Sequence, residues 1–215
     1  MKKNPSTKLL LTEGKNDQHV ILAIWNAHVG GHLFDIKDCG SDQKLLNDLE
    51  AYFLASTPPE VIGIVIDADD DHQARWQSLR DRLKNVGVQT LSEKADKGGT
   101  IILSTPSTPR IGVWIMPDNI SDGMLEHFCS RITPKEGIAF ADSCVREAVK
   151  GNHASFKSNH HQKAVIHTYL SWQNEPGLPL GLSIKTRNLK SEHPLVQSFV
   201  SWLEKLFNTP NQSTE

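Results

Sequence analysis

The clearest structural signal in the chain is the run Val61-Ile-Gly-Ile-Val-Ile66, which is followed directly by Asp67-Ala-Asp-Asp-Asp71. The first six residues are β-branched apart from one glycine and show no alternation with polar residues. This pattern is typical of a central strand in a parallel sheet, where both faces are buried. We therefore predict a buried strand with carboxylates at its C-terminal end.

The surrounding sequence alternates between strand and helix patterns. Short apolar runs predict further strands at 8–12, 34–38, 100–104 and 111–116, and helical spacing of apolar residues predicts helices between them, over 17–27, after Ser41-Asp42 and around Trp76–Leu83. Such alternation implies βαβ units. We expect an α/β core over 1–133 with a mainly parallel sheet flanked by helices, a mostly helical part over 134–207 packed on it, and a disordered tail over 208–215.

Composition excludes some functions. The 215 residues carry 23 Lys and Arg against 25 Asp and Glu, which argues against a binder of nucleic acid that depends on overall basicity. The charge is uneven, because residues 143–191 hold seven basic and two acidic side chains. No run of residues is apolar enough to span a membrane, and the apolar run near the N-terminus is too short for a signal peptide. The three cysteines are far apart in the sequence, which fits a reducing compartment. We expect a cytoplasmic protein with no membrane association.

Acidic residues follow three of the predicted strands. Glu13 follows the first, Asp67 and Asp69 follow the central one, and Asp118 follows the last. The carboxyl ends of parallel strands share one edge of a sheet, and this edge is where open α/β sheets bind ligands. Converging carboxylates repel one another unless a cation neutralises them, and oxygen ligands suit Mg²⁺. Each acid alone is also explained by a helix N-terminus or a turn.

The order of these motifs resembles the Toprim domain of topoisomerases, primases and OLD (overcoming lysogenisation defect) nucleases. That family has a first strand ending in Glu-Gly, here Leu9-Leu-Leu-Thr-Glu13-Gly14, and a later strand ending in Asp-x-Asp, here Ile62-Gly-Ile-Val-Ile-Asp67-Ala-Asp69. The segments Met116-Pro-Asp118-Asn119 and Gly123-Met-Leu-Glu126 are similar to small bacterial Toprim-like proteins related to the OLD nucleases. The resemblance covers most of the chain.

The resemblance implies a Toprim-like fold and a nuclease that uses Mg²⁺ or Mn²⁺, with two ions. It implies metal ligands at six positions, which are Glu13, Asp67, Asp69, Asp71, Asp118 and Glu126. Glu13, Asp67 and Asp69 would be catalytic together with Lys163, whose charge would stabilise the transition state. Asp17 resembles the second acid of the OLD pattern, and helix capping explains it nearly as well. A separately encoded ATPase partner and a role in phage defence follow from the same resemblance.

The basic segment supplies the predicted contacts with nucleic acid. These are Lys157, His160, His161, Lys185 and Arg187. A solvated helical surface explains these five residues equally well. For Lys163, in the same basic segment, the functional interpretation is favoured. Sequence does not decide between DNA and RNA.

Two other functions stay open. A phosphatase with an Asp nucleophile also has a strand ending in Asp-x-Asp, and Asp67-Ala-Asp69 would fit it, but Asp71 stands where that family has Thr or Val and Glu13-Gly14 is left without a role. A Toprim-like module could also bind a partner or nucleic acid without cleaving it. No Gly-x-Ser-x-Gly elbow, P-loop or Gly-x-Gly-x-x-Gly occurs in the chain.

Overall fold

A computed structural model describes residues 7–89 and 91–208 of the chain. Five strands and eight α-helices occur in this part of the chain, together with one turn of 3₁₀ helix at Ser158–His160. The elements in chain order are β1 (Lys8–Thr12), α1 (Lys15–His28), β2 (Asp35–Asp38), α2 (Asp42–Phe53), β3 (Val61–Asp67), α3 (His72–Asn85), β4 (Thr100–Ile102), β5 (Arg110–Met116), α4 (Leu125–Arg131), α5 (Lys135–Lys150), α6 (His161–Leu170), α7 (Leu180–Lys185) and α8 (Pro194–Phe207).

The strands form one mixed sheet in the order β2-β1-β3-β5-β4. Strands β2, β1, β3 and β5 are parallel, and β3 lies in the centre as its β-branched run predicted. The predicted α/β fold with a mainly parallel sheet flanked by helices is therefore confirmed. Only β4 runs antiparallel, because residues 103–109 join it to β5 and a parallel crossover needs about a dozen residues or more.

The two faces of the sheet bury separate apolar clusters. Alternate residues of β3 divide between them: Ile62, Ile64 and Ile66 pack with α2 and α3, whereas Val61 and Val65 pack with α1 and the C-terminal helices. The cluster that contains Val61 and Val65 extends from Leu10 of β1 to Phe207 of α8. Helix α7, which packs against α1, was not predicted, since its six residues follow Pro179 and are too few for a clear periodicity.

Two glycines let α8 lie directly on the sheet. Gly63 of β3 and Gly112 of β5 are paired in register. A Cβ atom at Gly112 would lie 2.4 Å from Leu206 Cδ2, and one at Gly63 would lie 3.0 Å from Phe207 Cζ. The absence of side chains at these positions therefore admits the end of α8. The boundary at 133/134 stays a prediction, and of the predicted tail all but Asn208 lies outside the described residues.

Candidate active site

The carboxyl ends of β1 and β3 place Glu13 beside Asp67. The two strands pair in parallel with Thr12 opposite Val65, so the residues that follow them lie at the same edge of the sheet. Glu13 Oε1 accepts a hydrogen bond of 2.7 Å from the backbone N–H of Asp67. The chain leaving the central strand is thus held by the first residue after the neighbouring strand.

Asp67 in turn connects the sheet to α4. Its Oδ1 accepts a hydrogen bond of 2.9 Å from the backbone N–H of Leu125, the first residue of that helix. A carboxylate at this position satisfies an N–H that has no partner within the helix, and the helix dipole favours its charge. The first turn of α4 therefore carries Glu126 to the same edge of the sheet, where the residue is 6% exposed.

Asp17 is the fourth carboxylate of this group. It is the third residue of α1, which begins directly after Glu13-Gly14, and it is 7% exposed. Asp17 lies in the first turn of α1, where the helix dipole favours a negative charge. The charge of Glu126 also acts on the Asp17 carboxylate. Asp17 therefore suits the start of its helix and belongs to the acidic cluster as well.

These carboxylates line one open cleft of about 330 Å³, and we call Glu13, Asp17, Asp67 and Glu126 the cleft carboxylates. Lys163, on the first turn of α6, also lines the cleft, and its Nζ lies 3.8 Å from Glu126 Oε1. Four acidic groups thus share a small volume with a lysine that pairs with one of them.

Burial and neighbouring charges raise the pKa of three of the cleft carboxylates. Burial raises the pKa of Glu13 to about 7, and the charge of Asp17 adds to this against the hydrogen bond from Asp67. Burial, with the charge of Glu126, likewise raises the pKa of Asp17 to about 7. The pKa of Asp67 is raised well above its usual range by burial and then by the charges of Asp17 and Glu13. Strongly perturbed carboxyl groups in a cleft are characteristic of functional sites.

Three acids predicted to bind metal have other partners. Asp69, which has φ 55°, pairs with Arg75 at 2.7 Å, and its carboxylate is outside the cleft lining although its charge still acts on Asp67. Asp71 caps α3 by accepting from the N–H of Ala74 at 2.8 Å. Asp118 accepts from Ser121 N–H and pairs with Arg131. The structure therefore brings Glu13, Asp67, Glu126 and Lys163 together and directs these three side chains elsewhere.

The residues predicted to contact nucleic acid lie outside the cleft lining. Lys157 and His160 are exposed just before α6, and Lys185 and Arg187 are exposed at the end of α7. His161 is held by Asp142, whose Oδ1 lies 2.6 Å from its Nε2. Their role in binding stays a prediction.

The cleft lining also includes residues that were not among the predicted site residues, at the starts of α1 and α2. Lys15 and Asn16 open α1, and Gly40 and Ser41 precede α2. Ser41 Oγ accepts from the N–H of Lys44 and so caps α2. Lys15 forms no ion pair with any residue in the two described ranges. The only signal in sequence is that each pair follows a predicted strand, which is true of many turns.

The donor chemistry of the cleft suits a hard divalent cation such as Mg²⁺ or Mn²⁺, which prefers carboxylate oxygens. Glu13 and Asp67 each use one oxygen to accept a backbone hydrogen bond, and no described N–H or O–H donates to the other. Within 7–89 and 91–208, however, no three His, Cys, Asp or Glu side chains are already arranged as a metal-binding group. An ion would have to draw the cleft carboxylates together.

The fold and the site define an α/β protein with a cluster of buried carboxylates at the carboxyl edge of its parallel sheet. The chain belongs to DUF3226, a family described as "Protein of unknown function (DUF3226)", whose model matches residues 7–208. No curated protein and no solved structure matches the chain. None of the helices in the described part of the chain is long and apolar enough to span a lipid bilayer.

Proposed function

We propose that this protein is a divalent-metal-dependent enzyme of the Toprim and OLD type that cleaves phosphodiester bonds in DNA or RNA. One observation carries the proposal: Glu13, Asp17, Asp67 and Glu126 line a single cleft together with Lys163. Four carboxylates in one cleft repel one another, and burial together with this repulsion raises the pKa of Glu13, Asp17 and Asp67. A divalent cation would relieve the repulsion.

The cleft carboxylates would hold Mg²⁺ or Mn²⁺, with the two ions that the resemblance implies. When bound, such ions supply Lewis-acid activation of water and of a phosphoryl oxygen. The Glu13 side chain accepts from the Asp67 backbone and the Asp67 side chain accepts from that of Leu125, so both carboxylates approach a substrate from a preorganised edge of the sheet. Glu126 completes the donor set from α4.

Lys163 would stabilise the negative charge that develops on the phosphoryl group. Its side chain is 51% exposed and its Nζ lies 3.8 Å from Glu126. An ion bound by Glu126 would weaken this pairing and leave the ammonium group directed toward the substrate. A compact ammonium is suited to this role because it acts as a point charge on a flexible stem.

The test is cleavage by the purified full chain of plasmid, linear DNA and RNA in Mg²⁺, Mn²⁺ or EDTA, with and without a neighbouring ATPase. Glu13→Gln and Asp67→Asn should each abolish metal-dependent cleavage, because each removes a charge from the cleft. Asp81→Asn is the matched control, since Asp81 is exposed on α3 and accepts from Gln77. No metal-dependent cleavage of any substrate by the unaltered chain would refute the proposal.

The same experiment separates the two alternatives. A phosphatase would hydrolyse a small phosphate ester in a reaction that requires Asp67 and tolerates substitution of Glu13. The geometry does not favour this alternative, because Asp69 is paired with Arg75 and lines a different cavity from Asp67. A non-catalytic module would bind nucleic acid without turnover, and the substitutions would leave that binding unchanged. Thermal shift with Mg²⁺ measures metal binding independently of cleavage.

A further inference from the structure

A second cavity, of about 540 Å³, lies between α4, α5 and α6 and shares no lining residue with the cleft. We call it the α4–α6 cavity. Its volume is in the range of pockets that hold small organic molecules. Its lining combines an apolar wall, formed by Ile138, Ala139 and Val165, with polar groups from α4, the first residue of α5 and the residue before α8.

For two histidines of the cavity lining, the hydrogen bonds define which ring nitrogen carries the proton. His127 Nδ1 accepts from the backbone N–H of Met124, and His193 Nδ1 accepts from that of Leu195, both at 3.1 Å. A backbone N–H can only donate, so in each neutral ring the proton lies on Nε2. No acceptor for either Nε2–H occurs in the described ranges, so both are available to a ligand.

Two further groups of the cavity lining, from Ser130 and Lys135, are also donors. Ser130 Oγ accepts from Gln162 Nε2, which leaves its hydroxyl hydrogen for another partner. Lys135 is exposed, opens α5 and forms no ion pair within residues 7–89 and 91–208. These groups add a hydroxyl and an ammonium to the two imidazole N–H groups.

The acid of the lining is already neutralised. Asp142 pairs with Arg146 at 2.7 Å and with His161 at 2.6 Å. Arg131, which also lines the cavity, pairs with Asp118. The cavity thus presents unused donors and a free ammonium beside an apolar wall, and it presents no unpaired carboxylate among the described residues.

We infer that the α4–α6 cavity binds a small organic anion, with a phosphate or carboxylate head near Lys135 and His193 and an apolar body against Ile138 and Val165. An anion accepts from several donors at once, and hydrogen bonds to a charged group are stronger than neutral ones. This inference does not depend on the proposed function, because neither the cleft carboxylates nor Lys163 contribute to the cavity.

The test is isothermal titration calorimetry of the full chain in EDTA with phenyl phosphate, benzoate and inorganic phosphate. One of the two aromatic anions should bind, and inorganic phosphate should bind about tenfold more weakly because it lacks an apolar body. The tighter of phenyl phosphate and benzoate identifies the head group. Lys135→Gln should weaken binding about tenfold through loss of a charged hydrogen bond, whereas Lys150→Gln, at the exposed C-terminal end of the same helix, should not.

A second variant protects the test against loss of folding. His193→Asn keeps a side-chain acceptor at the N-cap of α8 and removes the Nε2–H donor, so it should weaken binding while the melting temperature stays close to that of the unaltered chain. Glu13→Gln should leave binding unchanged, which separates this cavity from the cleft. The inference is overturned if neither aromatic anion binds, if Lys135→Gln and His193→Asn bind as tightly as the unaltered chain, or if Glu13→Gln removes the binding.

Discussion

The Glu13 side chain holds the backbone of Asp67, with Oε1 2.7 Å from the Asp67 nitrogen, and Asp67 Oδ1 holds the first N–H of α4 at 2.9 Å. Two strand ends and one helix are thereby tied together through two carboxylates. The arrangement keeps one oxygen of each carboxylate engaged with backbone and directs both residues to the same cleft. Substitutions at these positions therefore change both the charge of the cleft and the connection between its elements.

The cleft carboxylates should make the metal-free protein less stable as pH rises. Glu13 and Asp17 have folded pKa values of about 7, above their usual values of 4.5 and 3.8. Between these values the folded state binds more protons than the unfolded state, so stability is lost as pH rises toward 7. Urea unfolding in EDTA should show a decrease of about 2–3 kcal/mol for each of these groups between pH 5 and pH 8, since one pKa unit is about 1.4 kcal/mol.

Variants identify the source of this pH dependence. Glu13→Gln should flatten the profile because it removes a titrating group, whereas Glu93→Gln, at an exposed position, should leave the slope unchanged. A profile that is equally steep in Glu13→Gln would contradict the assignment.

Lys15 should contribute to substrate binding if the cleft takes a phosphodiester. It lines the cleft at the start of α1 and has no ion-pair partner in the part of the chain that the structure describes. Lys15→Ala should raise KM for nucleic acid about three- to tenfold with little change in kcat, because it removes an exposed charged contact to phosphate. Steady-state cleavage measures this, and Lys44→Ala, exposed on α2 outside the cleft, is the control. Equal KM values in the two variants would exclude this role.

Asp71 should behave as a helix cap and not as a metal ligand. Its carboxylate accepts from Ala74 N–H at the start of α3. Asp71→Ala should lower the free energy of unfolding by about 1 kcal/mol, and Asp71→Ser should restore most of it because serine is also a favourable N-cap. Chemical denaturation measures both. Loss of metal binding in Asp71→Ser, at normal stability, would instead support the ligand role that the resemblance implies.

Gly112 should be required for the packing of α8. A Cβ there would lie 2.4 Å from Leu206 Cδ2, so Gly112→Ala forces the helix or its side chain to shift. We expect destabilisation of about 1–3 kcal/mol, the usual cost of overpacking. Gly98→Ala is the control, since no atom lies within 4 Å of the added Cβ. A melting temperature for Gly112→Ala equal to that of the control would show that α8 adjusts freely.

Residue patterns were sufficient for the elements that have a strong local signal. The run Val61–Ile66 predicted the central strand, and the helical spacing over 17–27 predicted α1. Local sequence did not indicate α7, whose six residues show too little periodicity, or the packing of α8 on Gly63 and Gly112, which depends on contacts between distant segments.

The alternation of strands and helices and the acids at the strand ends follow from local sequence, because backbone periodicity and turn chemistry are local properties. Which acids share a cleft depends on tertiary contacts. Asp17 joins Glu13, Asp67 and Glu126 because α1 and α4 both begin at that edge of the sheet. Asp69, Asp71 and Asp118 instead pair with Arg75, the Ala74 N–H and Arg131. Partner choice among equivalent carboxylates is set by distance in space, which sequence spacing does not encode.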